Sequence, residues 1–289
     1  MRIAIIGGSG KMGRWFANFL LKDGNEVVIT GRNQEKLLEV KQRFGVEVAT
    51  NVEAVKSANV ILISVPIENF EEVVEQIKPY TYSEQLIVDI TSVKVPPVDI
   101  MHKHIKAGLV LGAHPVFGPG AKDIANHSLI LTPTNDRERA VAEKIGKYLE
   151  IRGAKIILMP PHEHDELMAV ILGLSHFIAI ASADTLLDSD RLNQMSTIGG
   201  ITFRVLLTLV ESVISENPGS YASLQMNLPG MMEVEKLFQQ KVKAWISLIE
   251  DKDKQGFISK MNALRARFEK ADPDFGKAYE NMYEMVERL

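Results

Sequence analysis

Three stretches carry residues whose types and spacing could do chemistry. The first is Gly8-Ser9-Gly10-Lys11-Met12-Gly13, which follows a short apolar run and opens a helical pattern. In a glycine turn of this spacing, one glycine permits the tight turn, the second lets backbone approach a pyrophosphate, and the third lets helix and strand pack closely. The helix that follows offers free N–H groups and a partial positive charge to phosphates. The strand-then-helix context is what makes the generic G-x-G-x-x-G pattern informative. Gly8, Ser9, Gly10, Lys11, Met12 and Gly13 are therefore assigned to a dinucleotide site, together with Ser64, Val65 and Pro66 at the carboxyl end of the apolar run Val60–Val65.

The end of the second strand sets the expected cofactor. An NAD-preferring site usually places an acid there for the ribose hydroxyls. Here Thr30-Gly31-Arg32-Asn33 occupies the position. A guanidinium can pair bidentately with a 2′-phosphate, which an acid would repel. Arg32 thus favours NADP, with NAD as the alternative; Arg32 could also be a solvated loop residue.

The second stretch is Asp89-Ile90-Thr91-Ser92-Val93-Lys94, at the carboxyl end of a strand, where open α/β sheets bind ligands. Ser92 can donate or accept a hydrogen bond and Lys94 can supply positive charge to a substrate. Alternatively, Thr91 or Ser92 caps the next helix. The third stretch is His114-Pro115-Val116-Phe117-Gly118-Pro119-Gly120. Pro115 bars His114 from a helix and holds it extended. A histidine fixed at a strand's carboxyl end suits general-base work near neutral pH. His162-Glu163-His164-Asp165 looks superficially like a metal cluster, but neighbours on a helix point apart and cannot converge on one ion, so no metal is expected. His102 and His104, beside Lys103 and Lys106, read as solvated surface.

These residues need a scaffold. Ile3–Ile6, Val27–Thr30, Val60–Val65, Leu86–Ile90, Leu109–Ala113, Leu129–Thr132 and Lys155–Leu158 read as strands, with helices over Lys11–Leu21, Gln34–Arg43, Phe70–Lys78 and Arg137–Leu149. Strands apolar on both faces belong to a parallel sheet covered by helices. After Pro160-Pro161 the pattern becomes helical: His162–Leu187, Gln194–Ser215, Gly219–Met226, Met232–Glu250, Asp253–Lys270 and a last helix near Phe275–Leu289. The fold class is α/β: an N-terminal Rossmann-like, doubly wound parallel sheet over residues 1–160, then an all-α domain over 161–289 that serves substrate binding and dimerisation.

Composition narrows the function classes. The 289 residues carry a net charge of −4, which gives no general attraction to nucleic acid or to an anionic membrane. With no cysteine, disulfides, thiolate catalysis and Cys-based metal sites are excluded, and a cytoplasmic location is expected. The short N-terminus lacks the features of a signal peptide, and no stretch reads as a membrane span.

Taken in order, Gly7 to Arg14, Asp89-x-x-Ser92-Val93-Lys94, His114-Pro115-x-Phe117-Gly118-Pro119, His164-Asp165 with His176 after it, and Glu216 to Tyr221 resemble the prephenate dehydrogenase family of tyrosine biosynthesis. The resemblance covers residues 1–230, and the histidine–proline loop is its most specific part. It implies NAD(P)-dependent oxidative decarboxylation of prephenate to 4-hydroxyphenylpyruvate and CO2, or the arogenate variant. It assigns His114 to the substrate hydroxyl and Ser92 to placing the histidine, the hydroxyl or the nicotinamide. Prephenate's carboxylates need cations: Arg204, in the apolar helix Ile201–Val210, leads as a buried arginine, unless it pairs internally with Glu211 or Asp184, and Lys94 is the second choice. His176 could line the substrate cleft or be a core histidine. The sequence departs from the family at Ser212, where a second arginine is common. No regulatory or mutase domain is visible up to Leu289. Rival readings are another small-substrate NADP reductase, such as the deazaflavin-dependent ones, and a non-catalytic nucleotide-binding regulator. The surplus of apolar stripes predicts a homodimer through residues 160–289.

Overall fold

The computed structural model describes residues 1–287. The chain divides into two compact units, one of Met1–Met168 with Met226–Pro229, the other of Ala169–Gln225 with the chain from Gly230 on.

In the first unit the order is β1 (Arg2–Ile6), α1 (Lys11–Lys22), β2 (Glu26–Thr30), α2 (Gln34–Phe44), β3 (Glu47–Val48), α3 (Asn51–Ser57), β4 (Val60–Ile63), α4 (Phe70–Ile77), β5 (Leu86–Asp89), α5 (Val95–His104), β6 (Leu109–Pro115), β7 (Ser128–Thr132), α6 (Asp136–Glu150), β8 (Lys155–Leu158) and α7 (Pro161–Met168). The sheet order is β3-β2-β1-β4-β5-β6-β7-β8. Every neighbouring pair is parallel except β6 with β7, so the expected doubly wound sheet carries one antiparallel join. Alternation along β1 shows why such strands are apolar throughout. Ile3 and Ile5 pack with Phe16 and Leu20 on one face, and Ala4 and Ile6 pack with Ile61 and Phe70 on the other. The order reverses between β1 and β4, which makes that junction the switch point where open α/β sheets take dinucleotides.

Two elements escaped the sequence reading. Strand β3 is two residues long, too short for periodicity to register. Helix α3 is held by its start: Thr50 and Glu53 form a reciprocal capping box, with the Thr50 N–H donating to Glu53 Oε2 at 3.0 Å.

The second unit is helical: α8 (Ser175–Leu187), α9 (Leu192–Ile198), α10 (Ile201–Ile214), α11 (Pro218–Asn227), α12 (Met231–Glu250), α13 (Lys254–Ala271) and α14 (Ala278–Glu287). The expected single helix over Gln194–Ser215 is instead α9 and α10, because Gly199-Gly200 breaks it; Gly200 is extended and caps α10. The expected helix over His162–Leu187 is interrupted by a π-helical turn at Ala169–Leu174. There the Gly173 carbonyl accepts the Gln225 side-chain amide at 2.9 Å. The segment Pro161–Leu187 is, by length and composition, apolar enough to cross a bilayer, which corrects the expectation that no such stretch exists; helices buried in a fold share that composition. The last expected helix, Phe275–Leu289, begins as a 3₁₀ turn at Phe275–Lys277, and its final two residues lie outside the described ones.

Candidate active site

The glycine turn forms as its residue types require, with the roles redistributed. The left-handed residue is Gly7, with φ 85°, one place ahead of the motif. A Cβ there would sit 2.1 Å from the Ser64 carbonyl oxygen. Gly8 donates its N–H to the Thr30 carbonyl at 2.9 Å, and a Cβ on it would meet Ile29 Cβ at 2.6 Å. A Cβ on Gly13 would meet Gly7 O at 2.5 Å, so this glycine lets α1 lie against the turn. Gly10 differs: a Cβ there would approach only Gly7 O, at 3.2 Å. Gly10 begins α1 with no side-chain cap, and the N–H groups of Met12 and Gly13 have no backbone partner among the described residues. This is a cradle for an anion at a helix N-terminus. Gly8, Met12 and Gly13 shape that cradle by packing, and the Met12 side chain joins the core beneath.

A cleft of about 810 Å³ opens from this turn, lined among others by Ser9, Gly10, Arg32, Asn33, Ser64, Val65 and Pro66. Six residues assigned to the cofactor from sequence therefore meet at one opening. The volume, the uncapped helix and the glycine bed fit a dinucleotide. Arg32 is exposed at the rim and donates to Asn69 Oδ1 at 3.4 Å. A Cβ on Gly31 would fall 2.7 Å from Ser9 Oγ, so an acid there would require the Ser9 side chain to turn away.

Three strands along from β1, at the same edge of the sheet, lies a buried polar network. Strand β6 continues through His114 to Pro115, and His114 pairs with Ile130 across the antiparallel join, so it is a strand residue rather than the first of a loop. The loop beyond is tied to α1: Trp15 Nε1 donates to Ala121 O at 2.7 Å, and the Trp15 ring packs edge-on against Phe117 at 4.9 Å. His114 is 4% exposed. Its Nδ1 lies 2.8 Å from His164 Nε2, and His164 Nδ1 lies 2.7 Å from Asp165 Oδ1. Asp165 also accepts the backbone N–H of Lys94 at 2.8 Å and of Val95 at 2.9 Å. Helix α5 is thus capped by a carboxylate from α7, not by Thr91 or Ser92, and the negative charge suits the positive end of its dipole.

Lys94 corrects a sequence expectation. It is fully buried, ion-paired to Asp89, and its Nζ donates to Ala113 O at 2.7 Å. A lysine at the carboxyl end of β5 could point outward to a substrate, but this one turns inward, because Asp89 is also buried and needs a counter-charge. Lys94 is therefore unavailable to grip a substrate carboxylate. Burial pushes the Lys94 ammonium down from its ordinary range and the Asp89 carboxyl up, each opposed by attraction to the other. Burial likewise holds His114 well below the ordinary histidine value, helped by the neighbouring His164 and the Lys94 charge. His164 is lowered by burial in spite of Asp165.

Some enclosed side-chain atoms lack a partner: among the described residues these include Thr132 Oγ1, His176 Nδ1 and Gln225 Oε1. His114 Nε2 makes no hydrogen bond among the described residues. A buried imidazole with one nitrogen anchored and the other reachable can take a proton from a ligand.

The remaining candidates fall as follows. Ser92 is exposed and makes no hydrogen bond to His114 among the described residues; His164 holds that ring instead. Arg204, expected to be buried, is exposed on α10, and no ion pair to Glu211 or Asp184 is found among the described residues. A helix whose apolar stripe faces its neighbours leaves its polar positions to solvent. His176, in the second unit, is half-buried against Tyr221 with ring centroids 4.8 Å apart, and burial lowers its pKa. His102 and His104 are not simply solvated: His102 Nε2 lies 2.7 Å from Glu138 Oε1, and His104 Nε2 lies 3.0 Å from Glu71 Oε1. Sequence reasoning missed Asp89, His164 and Asp165 as members of one network. The available signal was the adjacent His164-Asp165 pair opening a helix, beside an Asp-x-x-Ser-Val-Lys segment.

Comparison with known proteins gives the site a context. Residues 16–158 match the family model described as prephenate dehydrogenase, nucleotide-binding domain, and residues 160–263 match prephenate dehydrogenase, dimerization domain. A probable arogenate/prephenate dehydrogenase of Methanocaldococcus jannaschii is 32% identical over 93% of this chain and 61% of its own length. The T-protein of Haemophilus influenzae is 28% identical over 92% of this chain and 67% of its own. The chain thus spans about three-fifths to two-thirds of these relatives. Among solved structures, prephenate dehydrogenase from A. aeolicus, in complex with hydroxyphenyl propionate and NAD+, superposes with a TM-score of 0.75 at 20% identity, covering 94% of this chain and 98% of that one. Synechocystis arogenate dehydrogenase gives 0.71 at 21% identity, covering 94% and 100%. At such identities these structures speak to the fold.

Proposed function

From the premise that this chain belongs to the prephenate dehydrogenase family, we propose that it oxidatively decarboxylates prephenate to 4-hydroxyphenylpyruvate and CO2, with NADP as the preferred hydride acceptor. The observation that supports this is His114 Nε2, which makes no hydrogen bond among the described residues and lies at the sheet edge that also holds the glycine cleft. Ser9, Gly10 and the first N–H groups of α1 would hold the pyrophosphate, and Arg32 a 2′-phosphate. A bound nicotinamide supplies the hydride acceptor. His114 supplies the base: taking the hydroxyl proton at Nε2 pushes electron density onto the carbon that must release hydride. Loss of CO2 from the ring then yields an aromatic product and drives the reaction forward. Ser92, exposed in the loop after β5, would orient the hydroxyl or the nicotinamide. With Lys94 internal, Arg204 and His176 are the remaining cationic or polar groups assigned to the substrate.

Arogenate is the second reading, since the Methanocaldococcus jannaschii relative is a probable arogenate/prephenate dehydrogenase. We further propose a homodimer through the helical unit. Its support is the family model's description of residues 160–263 and the exposed apolar side chains on α12 and α13, among them Ile246, Ile249, Phe257 and Met261. The deciding experiment gives purified protein prephenate or arogenate with NAD or NADP and follows reduced-nicotinamide absorbance. Turnover fastest with prephenate and NADP is expected. No turnover in any of the four combinations would remove the reading.

A further inference from the structure

Resting on the reading of His114 as the base, we propose that His164 and Asp165 are positioning residues that fix which nitrogen of His114 carries its proton, leaving Nε2 bare for the substrate hydroxyl. The argument is one of hydrogen-bond polarity. A backbone N–H can only donate. The Lys94 and Val95 amides therefore require acceptors at both Asp165 oxygens, Oδ1 and Oδ2. Oδ1 is also the partner of His164 Nδ1, so that nitrogen bears hydrogen. A neutral imidazole has one N–H, which leaves His164 Nε2 an acceptor. It can then only accept from His114 Nδ1, at 2.8 Å. His114, neutral in its turn, has spent its one hydrogen inward, and Nε2 is a lone pair.

Polarity thus runs from the start of α5 through Asp165 and His164 to the reacting nitrogen. The charged and titratable groups around the chain are Asp165 on α7, Lys94 at the start of α5 and Asp89 on β5. Burial lowers both imidazole pKa values and so favours the uncharged forms that the one-hydrogen argument uses. The tertiary fold makes the arrangement, since fifty positions separate the two histidines. When His114 takes a proton at Nε2 it becomes an imidazolium whose Nδ1–H still points at an acceptor, so the chain serves the charged state as well. An orienting group behind a catalytic histidine that sets its tautomer is a known device in hydrolases, where the wrong tautomer costs orders of magnitude in rate.

The test uses the full-length protein labelled with 15N-histidine. Side-chain nitrogen shifts, assigned by loss of one spin system in His114→Asn, report which nitrogen is protonated. The expected wild-type result is a pyridine-like Nε2 and a protonated Nδ1 on His114. In His164→Leu, which cannot accept, His114 should populate the Nε2–H form, and kcat should fall about a hundredfold, with cofactor affinity unchanged. His164→Gln, whose carbonyl oxygen can accept the same bond, should recover most of the rate and the wild-type shifts. A wild-type His114 protonated on Nε2, or unchanged kcat in His164→Leu, would overturn the proposal. The shifts read the tautomer whether or not His114 is the base. Undiminished turnover in His114→Asn would sink the functional reading, whereas a dead His114→Asn beside a fully active His164→Leu would sink this one alone.

Discussion

Lys94 and Asp89 form a fully buried ion pair in which the lysine ammonium also reaches the carbonyl of Ala113, the residue before His114. A single cation therefore ties the end of β5 to the end of β6 and neutralises a carboxylate that water cannot reach. Breaking such a pair on one side strands a charge, which costs about 3–5 kcal/mol. Lys94→Met should accordingly lower the urea midpoint strongly. The double change Lys94→Met with Asp89→Leu should recover much of the loss, because the stranded charge is gone. A midpoint unmoved in the single variant would deny the pair any structural role.

Turnover should follow the depressed pKa of His114. The base works when deprotonated, and burial holds its pKa well below the ordinary histidine range. The log of kcat/KM should therefore stay level as pH falls through about 6.5, the ordinary histidine value, and decline only at lower pH. An inflection at the ordinary value would show that the imidazole is solvated during catalysis.

Stability should fall on the same side. His114 and His164 both have folded pKa values below their unfolded ones. Beneath about pH 6.5 the unfolded chain binds protons that the folded chain refuses. Their contribution is thus fully present above that pH and is lost as pH falls toward the folded values. The slope can reach about 1.4 kcal/mol per pH unit for each proton. Denaturant melts of wild type and His114→Phe across pH 5–7 check this: the variant should show the shallower dependence, and equal slopes would contradict it.

The glycine turn offers a clean separation of packing from binding. Gly8→Ala drives a methyl to 2.6 Å from Ile29 Cβ and should cost about 1–3 kcal/mol of stability. Gly10→Ala meets only Gly7 O, at 3.2 Å, so it should leave the melting temperature nearly intact while weakening dinucleotide binding, read by fluorescence titration. If Gly10→Ala binds as wild type does, the pyrophosphate does not approach that backbone.

Arg32→Ala should weaken NADP roughly 10- to 100-fold, the loss of about 1.5–3 kcal/mol expected for a charge-assisted bond, and should leave NAD nearly untouched. Equal losses for the two cofactors would undo the assignment of Arg32 to a 2′-phosphate.

In solution, light scattering should return twice the 32.2 kDa chain mass. Ile246→Asp with Phe257→Asp, on exposed faces of α12 and α13, should shift it toward the single-chain value. A wild-type chain that is monomeric at micromolar concentration would refute the dimer.

By itself the sequence determined what depends on short range. Strands apolar on both faces, the glycine turn ahead of α1, and the proline that holds His114 extended all act within a few residues, so periodicity and residue type suffice to read them. The breaks at Gly199-Gly200 and Ala169–Leu174 had weaker local signals and were missed. What only the tertiary structure decided is where polar side chains point and with whom they pair. Lys94 looked like a ligand-facing cation and is an internal counter-ion, because Asp89 was buried beside it. Arg204 looked buried and is exposed. His164 and Asp165 looked like the start of a helix, yet they hold the ring of a histidine fifty positions earlier. A hydrogen bond depends on direction and distance in space, and separation along the chain carries neither until the strands and helices have packed.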